Sequence, residues 1–187
     1  MNNYQITEWC HHFIREHVKE GDICIDATAG NGKDTKLLCE LVGEAGRVFA
    51  FDIQEQAVEN TKKRLESVGL LNRAMVLQES HEKMAEYAKP NSVSCIVFNF
   101  GYLPGGDHRL ATKKDSSLFA IREGLCLLKK GGIMNLCVYS GGDSGFEERD
   151  AILEEVKKLD TKQYLVIVSS YYNRPNNPPI PILIIKL

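Results

Sequence analysis

Apolar and polar positions along the 187-residue chain fall into two alternating periods. Residues 23–27 form a short apolar run, followed by a glycine turn and then Leu37, Leu38, Leu41 and Val42 at helical spacing. Residues 47–52 predict a second strand, and Ala57, Val58, Thr61, Leu65 and Val68 mark the next helix. A third strand over 74–79 precedes a short helix over 81–88, and 93–100 is a fourth strand. Leu118, Ile121, Leu125 and Leu128 form a helical stripe; Gly131 and Gly132 then introduce a strand over 133–139, and Ile152, Val156 and Leu159 give the last helix. Continuous apolar strands alternating with amphipathic helices predict an α/β fold, a parallel sheet covered on both faces. Ile6, Trp9, Cys10 and Phe13 add a helix in front, expected over the first strand.

The rhythm breaks at the end of the chain. Segments 165–172 and 180–187 are both strand-like, with only 173–179 between them. A parallel crossover needs about a dozen residues, so these two strands should pair as an antiparallel hairpin. No internal repeat or domain boundary is visible, which predicts a single domain over 1–187 with the helix of residues 1–20 packed on it.

Composition narrows the function classes. Apolar residues make up 43% of the chain and charged ones 26%, which excludes a disordered or fibrous chain. No run of 18 apolar residues exists, and residues 1–9 are too polar for a secretion signal, so a cytoplasmic location is expected. The six cysteines form neither a CxxC pair nor a metal-ligand spacing, and they read as buried thiols of a reducing compartment. With 23 basic and 25 acidic residues the net charge is −2, so a nucleic-acid partner requires a local basic patch.

The most informative stretch is Asp26-Ala27-Thr28-Ala29-Gly30-Asn31-Gly32-Lys33-Asp34, which follows a strand and opens a helix. Gly30 and Gly32 allow close backbone approach to a ligand, and the helix start offers unpaired N–H groups. Asp52 ends the second strand twenty residues beyond Gly32, where an acid meets the ribose hydroxyls of an adenosine ligand. The alternative roles are a tight turn for the loop and a helix cap for Asp52. A Walker loop is excluded, because Ala27 stands at its first glycine and Asp34 at its Mg²⁺-binding hydroxyl. NAD would favour a third glycine and a second domain. S-adenosylmethionine (SAM), which carries no phosphate, fits the loop best.

On these residues the sequence resembles the class I SAM-dependent methyltransferases over nearly its whole length, with DATAGNG as the first motif. The resemblance implies a Rossmann-like, seven-stranded, mostly parallel sheet with an antiparallel last strand. It places Asp26, Gly30, Asn31 and Gly32 at the methionine end of SAM, Asp52 on the ribose, Gln54 beside adenine, and Ser80 and His81 flanking the adenine ring. Thr28 stands where the family has glycine. For His81, a polar helix-start residue is the other possibility.

Strand four ends in Asn99-Phe100-Gly101-Tyr102. Functional groups in open α/β sheets collect at strand carboxyl ends. This stretch is in register with the [DN]PPY signature of amino-group methyltransferases, with Phe100 and Gly101 in place of both prolines. The resemblance implies that Asn99 accepts hydrogen bonds from a target amine and that Tyr102 packs against a base; a glycine-rich turn with a capping Asn is the alternative. Asp107 and His108 are candidate acceptors of the released proton, with solvated loop residues as the alternative for both.

DATAGNGxDT, the Ser80–His81 pair, NFGYLPGGDH, and Tyr171, Asn173, Asn176, Pro178 and Pro179 together resemble the small bacterial rRNA methylase family, whose characterised members methylate tRNA. That implies transfer of a methyl group to the amine of 5-aminomethyl-2-thiouridine at the tRNA wobble position. His108, Arg109, Lys113, Lys114 and Arg174 form the candidate RNA surface, with Tyr102 and Tyr139 available for stacking. A methyltransferase of rRNA or of a small molecule, and a nucleotide-binding oxidoreductase module, are the rival readings. The apolar C-terminal strands are compatible with a homodimer.

Overall fold

The computed structural model describes residues 5–101, 112–140 and 142–187, apart from the side chains of 142–144. Seven strands alternate with helices: α1 (Ile6–His17), β1 (Ile23–Asp26), α2 (Lys33–Val42), β2 (Arg47–Asp52), α3 (Glu55–Glu66), β3 (Ala74–Gln78), β4 (Val93–Phe100), α4 (Lys114–Leu127), β5 (Leu128–Val138), α5 (Gly142–Lys157), β6 (Tyr164–Val168) and β7 (Ile180–Lys186). Short 3-10 turns lie at Leu71–Arg73 and His81–Glu86.

The strands form one sheet in the order β3-β2-β1-β4-β5-β7-β6. All neighbours are parallel except at β7, which runs antiparallel to both β5 and β6. The expected hairpin therefore forms, with its second strand inserted between the first and the rest of the sheet. The chain walks outward from β1 through β2 to β3, then returns to the other side of β1 to lay down β4. That reversal opens a crevice beyond the carboxyl ends of β1 and β4.

Side-chain alternation along each strand separates two apolar layers. Ile25, Ile96, Phe98, Phe100, Met134, Leu136 and Ile182 face α4 and α5, packing on Ala120, Ile121, Leu125, Ile152 and Val156. Cys24, Cys95, Val97, Ile133 and Leu183 face α1 and α2, packing on Ile14, Leu37, Leu38 and Val42. A strand buried on both faces favours apolar residues at nearly every position, which is why β4 is apolar except at Ser94 and Asn99.

Several expectations need correction. Helix α1 lies mainly over β5 and β7 rather than β1, anchored where Asn135 Nδ2 donates to the Cys10 carbonyl at 3.1 Å. Strand β5 starts at Leu128, so Leu128 is not helical, and Gly131 and Gly132 sit at a register irregularity inside the strand. A Cβ at Gly132 would come within 2.9 Å of the Lys129 and Val93 carbonyl oxygens, so the bulge requires glycine. Val68 and Leu159 lie past the ends of α3 and α5, and β6 stops at Val168 rather than running to 172. Cys126 is exposed, whereas the other five thiols are buried.

Candidate functional site

The segment joining β1 to α2 is built as a turn with two left-handed glycines, Gly30 at φ 54° and Gly32 at φ 72°. At Gly32 a Cβ would lie 2.9 Å from the Thr61 Cα, so helix α3 approaches the loop as closely as glycine permits. Asp26 braces the turn from inside. Its Oδ1 accepts the Thr28 N–H at 3.2 Å and its Oδ2 accepts the Thr35 hydroxyl at 2.6 Å, and the residue is fully buried. Burial, then the nearby Asp34 charge, pushes its carboxyl up to about 7, against the pull of those two donors.

Asp52 grips the same loop from β2. Its Oδ2 accepts the Gly30 N–H at 2.9 Å and its Oδ1 accepts the Gln54 N–H at 3.0 Å at the start of α3. The carboxylate therefore does the local turn-capping job while bridging two elements. Each of its oxygens carries one of these bonds and can accept a second. Asn31 is tied down by Asn60, which donates to its side chain at 2.9 Å, and by Arg64, which donates to its carbonyl at 2.6 Å.

Past β3, Ser80 caps the short turn, accepting the Glu82 N–H at 3.3 Å and donating to the Glu82 carboxylate at 2.9 Å. His81 folds back on the loop: its Nδ1 lies 3.2 Å from the Ala27 carbonyl and its ring packs edge-on against Phe98. Burial holds the imidazole below its ordinary pKa, so it is neutral at pH 7 and donates through Nδ1. That leaves Nε2 as a buried acceptor without a hydrogen-bond partner among the described residues. A buried acceptor lacking a donor costs about 1–3 kcal/mol. It suits a site completed by a ligand.

Asn99 stands near the end of β4. Its backbone N–H donates to the Thr28 hydroxyl at 2.7 Å, and its Nδ2 donates to Asp34 Oδ2 at 2.7 Å. Asp34 Oδ1 in turn meets His11 Nε2 of α1 at 2.5 Å. A cavity opens beside this chain of contacts, lined by Thr7, Cys10, His11, Asp34, Asn99 and Cys137 among others. His11 and Asp34 were not singled out in the sequence as site residues. Asp34 lies within the loop motif, but nothing local relates it to position 99, and His11 sits in an otherwise ordinary amphipathic helix.

Beyond β4, Gly101 and Thr112 pair: the Gly101 N–H donates to the Thr112 hydroxyl at 2.9 Å, and the Thr112 N–H to the Gly101 carbonyl at 3.1 Å. Thr112 then donates to buried Glu148, as does Ser117 at 2.6 Å. Tyr139 closes the same edge, its N–H on the Phe100 carbonyl at 3.0 Å. Lys113 is exposed at the start of α4, and Arg174 is exposed in the β6–β7 connection. Tyr102, Asp107, His108 and Arg109 lie outside the described residues. Among the residues expected to bind an adenosine ligand, Asp26 is thus bonded to Asn99 through Thr28, while Asp52, Asn31 and His81 each hold the same β1–α2 loop through separate contacts, and Ser80 makes none to it. Among the described residues no cluster of three His, Cys, Asp or Glu side chains is arranged to hold a metal ion, and no helix is long and apolar enough to cross a membrane.

Residues 48–185 match the model of a family described as "Putative rRNA methylase". A relative from Arabidopsis thaliana, named tRNA (mnm(5)s(2)U34)-methyltransferase, chloroplastic, is 35% identical over 92% of this chain; the match spans 66% of the relative's length. A crystal structure from Clostridium thermocellum, described as a putative rRNA-methylase, superposes with a TM-score of 0.96 at 41% identity, covering 100% of both chains. A putative methyltransferase from Streptococcus mutans, crystallised with S-adenosylhomocysteine, superposes with a TM-score of 0.88 at 34% identity, covering 97% of both chains. The fold is thus the Rossmann-like one of methyltransferases.

Proposed function

Because this chain belongs to the rRNA methylase family, we propose that it is a SAM-dependent N-methyltransferase whose acceptor is the amine of 5-aminomethyl-2-thiouridine at the tRNA wobble position. The observation that carries this reading is the junction of Asn99 with the glycine loop through the Thr28 hydroxyl. This bond ties the Asn99 backbone to the loop proposed to hold SAM, on the strand end where an acceptor would arrive, which supports the reading. The name of the Arabidopsis relative supports the tRNA acceptor.

The donor set suits SAM. Asp52 has acceptor capacity left for ribose hydroxyls, Gln54 follows it at the start of α3, and His81, next to Ser80, carries an imidazole nitrogen with no partner among the described residues. The turn that Asp26 braces around Gly30, Asn31 and Gly32 would receive the methionine end. When bound, SAM would supply its sulfonium methyl group to the amine nitrogen by in-line displacement, the C–S bond breaking as the C–N bond forms, with S-adenosylhomocysteine as the leaving group.

The chain's own task is then geometric. Asn99 Oδ1 accepts a hydrogen bond from the amine and aims its lone pair, without being a nucleophile that competes for the methyl group. Such positioning and exclusion of water supplies about 7–11 kcal/mol of barrier reduction. An alkyl ammonium must first lose its proton, and burial on binding would favour the neutral amine. Tyr102 and Tyr139 are the proposed stacking residues for RNA, and His108, Arg109, Lys113 and Arg174 its proposed polar and basic contacts.

The test is incubation of the enzyme with SAM and tRNA carrying the aminomethyl group, followed by digestion to nucleosides. Conversion to the 5-methylaminomethyl nucleoside is expected. Methyl transfer to rRNA with none to that tRNA would overturn the acceptor assignment, and calorimetric binding of NAD without SAM would overturn the enzyme class.

A further inference from the structure

We propose that Asp34, held from its far side by His11, is a positioning residue that decides which end of the Asn99 amide faces the acceptor amine. This rests on the role of Asn99 proposed above. A side-chain amide is nearly symmetric in shape but opposite in character at its two ends, and a half-turn exchanges acceptor for donor. A carboxylate only accepts. The amide end 2.7 Å from Asp34 Oδ2 is therefore Nδ2, and Oδ1 is turned away from Asp34 as an open acceptor. Without that carboxylate the amide would be free to present its NH₂ group to the amine, donor against donor.

The carboxylate is itself restrained. His11 Nε2 meets its other oxygen at 2.5 Å, and the two side chains are only 12% and 15% exposed. His11 is carried by α1, which is held on the sheet by the packing of Ile14 and by the Asn135 bond to the Cys10 carbonyl. The backbone of Asn99 is pinned separately by Thr28. The half-turn of the amide is thus opposed by the Asp34 bond, which His11 holds in place, and α1 acquires a role in the site that no motif in it announces.

The experiment compares Asp34→Ala, Asn99→Ala and the double variant in tRNA methylation, with SAM affinity measured by calorimetry on each. Asp34→Ala should lower kcat about 10- to 100-fold, leave SAM affinity within about twofold, and cost nothing further in the Asn99→Ala background, because Asp34 acts through Asn99. The reciprocal exchange Asp34→Asn with Asn99→Asp, in which the amide at 34 donates to a carboxylate at 99, should recover activity above that of Asp34→Ala. Losses that multiply in the double variant, or SAM affinity that falls in step with kcat, would overturn the proposal. Side-chain amide exchange read by nitrogen-15 NMR gives a second measure without turnover. The Asn99 Nδ2 protons should be protected in the wild type and exposed in Asp34→Ala; freely exchanging protons in the wild type overturn the proposal. A wild type with protected protons but no activity on the tRNA overturns the acceptor assignment instead.

Discussion

The Thr28 hydroxyl accepts the backbone N–H of Asn99 at 2.7 Å, across 71 positions of chain. One hydroxyl thereby links the turn after β1 to the end of β4, and it does so at a position where the family resemblance expects glycine. A glycine there would leave the Asn99 N–H without this acceptor.

Removing only the hydroxyl tests the link. Thr28→Val keeps the shape and strands a partly buried N–H, so it should destabilise the fold by about 1–3 kcal/mol, whereas Thr28→Ser should stay within about 0.5 kcal/mol of wild type. Urea unfolding checks this: the midpoint should fall for valine with the slope unchanged. Equal midpoints for the two variants would show that the hydroxyl contributes nothing.

Asp52 and Asn99 should separate binding from turnover. Asp52→Ala should weaken SAM binding, at about 1.5–3 kcal/mol for each charge-assisted hydrogen bond lost, with kcat at saturating SAM much less affected. Asn99→Ala should lower kcat and leave SAM affinity nearly unchanged. Calorimetry alongside steady-state kinetics decides it, and parallel loss of SAM binding in both variants would contradict the division.

Asp26 imposes a pH dependence of definite sign. Its carboxyl is pushed from the ordinary 3.8 up to about 7 by burial and by Asp34, so between those values the folded state keeps a proton that the unfolded chain releases. This group therefore makes stability fall as pH rises from about 4 to about 7, and level off above. His81, kept neutral by burial, acts with the opposite sign as pH rises toward 6.5, so the wild-type curve alone is a sum. The wild-type stability minus that of Asp26→Asn isolates the effect. That difference should decline across the window, and a flat difference would refute it.

Much of the architecture was legible because burial on both faces forces a recognisable pattern. The bounds expected for β2 and β4 agree with the structure, since β4 is apolar at nearly every position and the glycine turn and Asp52 limit their neighbours. The hairpin between β6 and β7 followed from a linker too short for a crossover. Its insertion order, with β7 beside β5, did not follow, because pairing order depends on which edge each strand meets in space. The start of β5 is not legible in the sequence for a related reason: Gly131 and Gly132 serve as well in a bulge as in a turn, and the Lys129 and Val93 carbonyls that crowd Gly132 are set by the fold.

The chain's order of residues already specified the alternation of strands and helices, the left-handed turn at Gly30 and Gly32, and an acid at the end of β2, because each depends on local backbone geometry or on a period of a few residues. The meeting of His11, Asp34 and Asn99 was settled by folding alone. These three residues come from α1, α2 and β4, and a hydrogen bond between them depends on the placing of whole elements to within a fraction of an ångström, which no local pattern encodes.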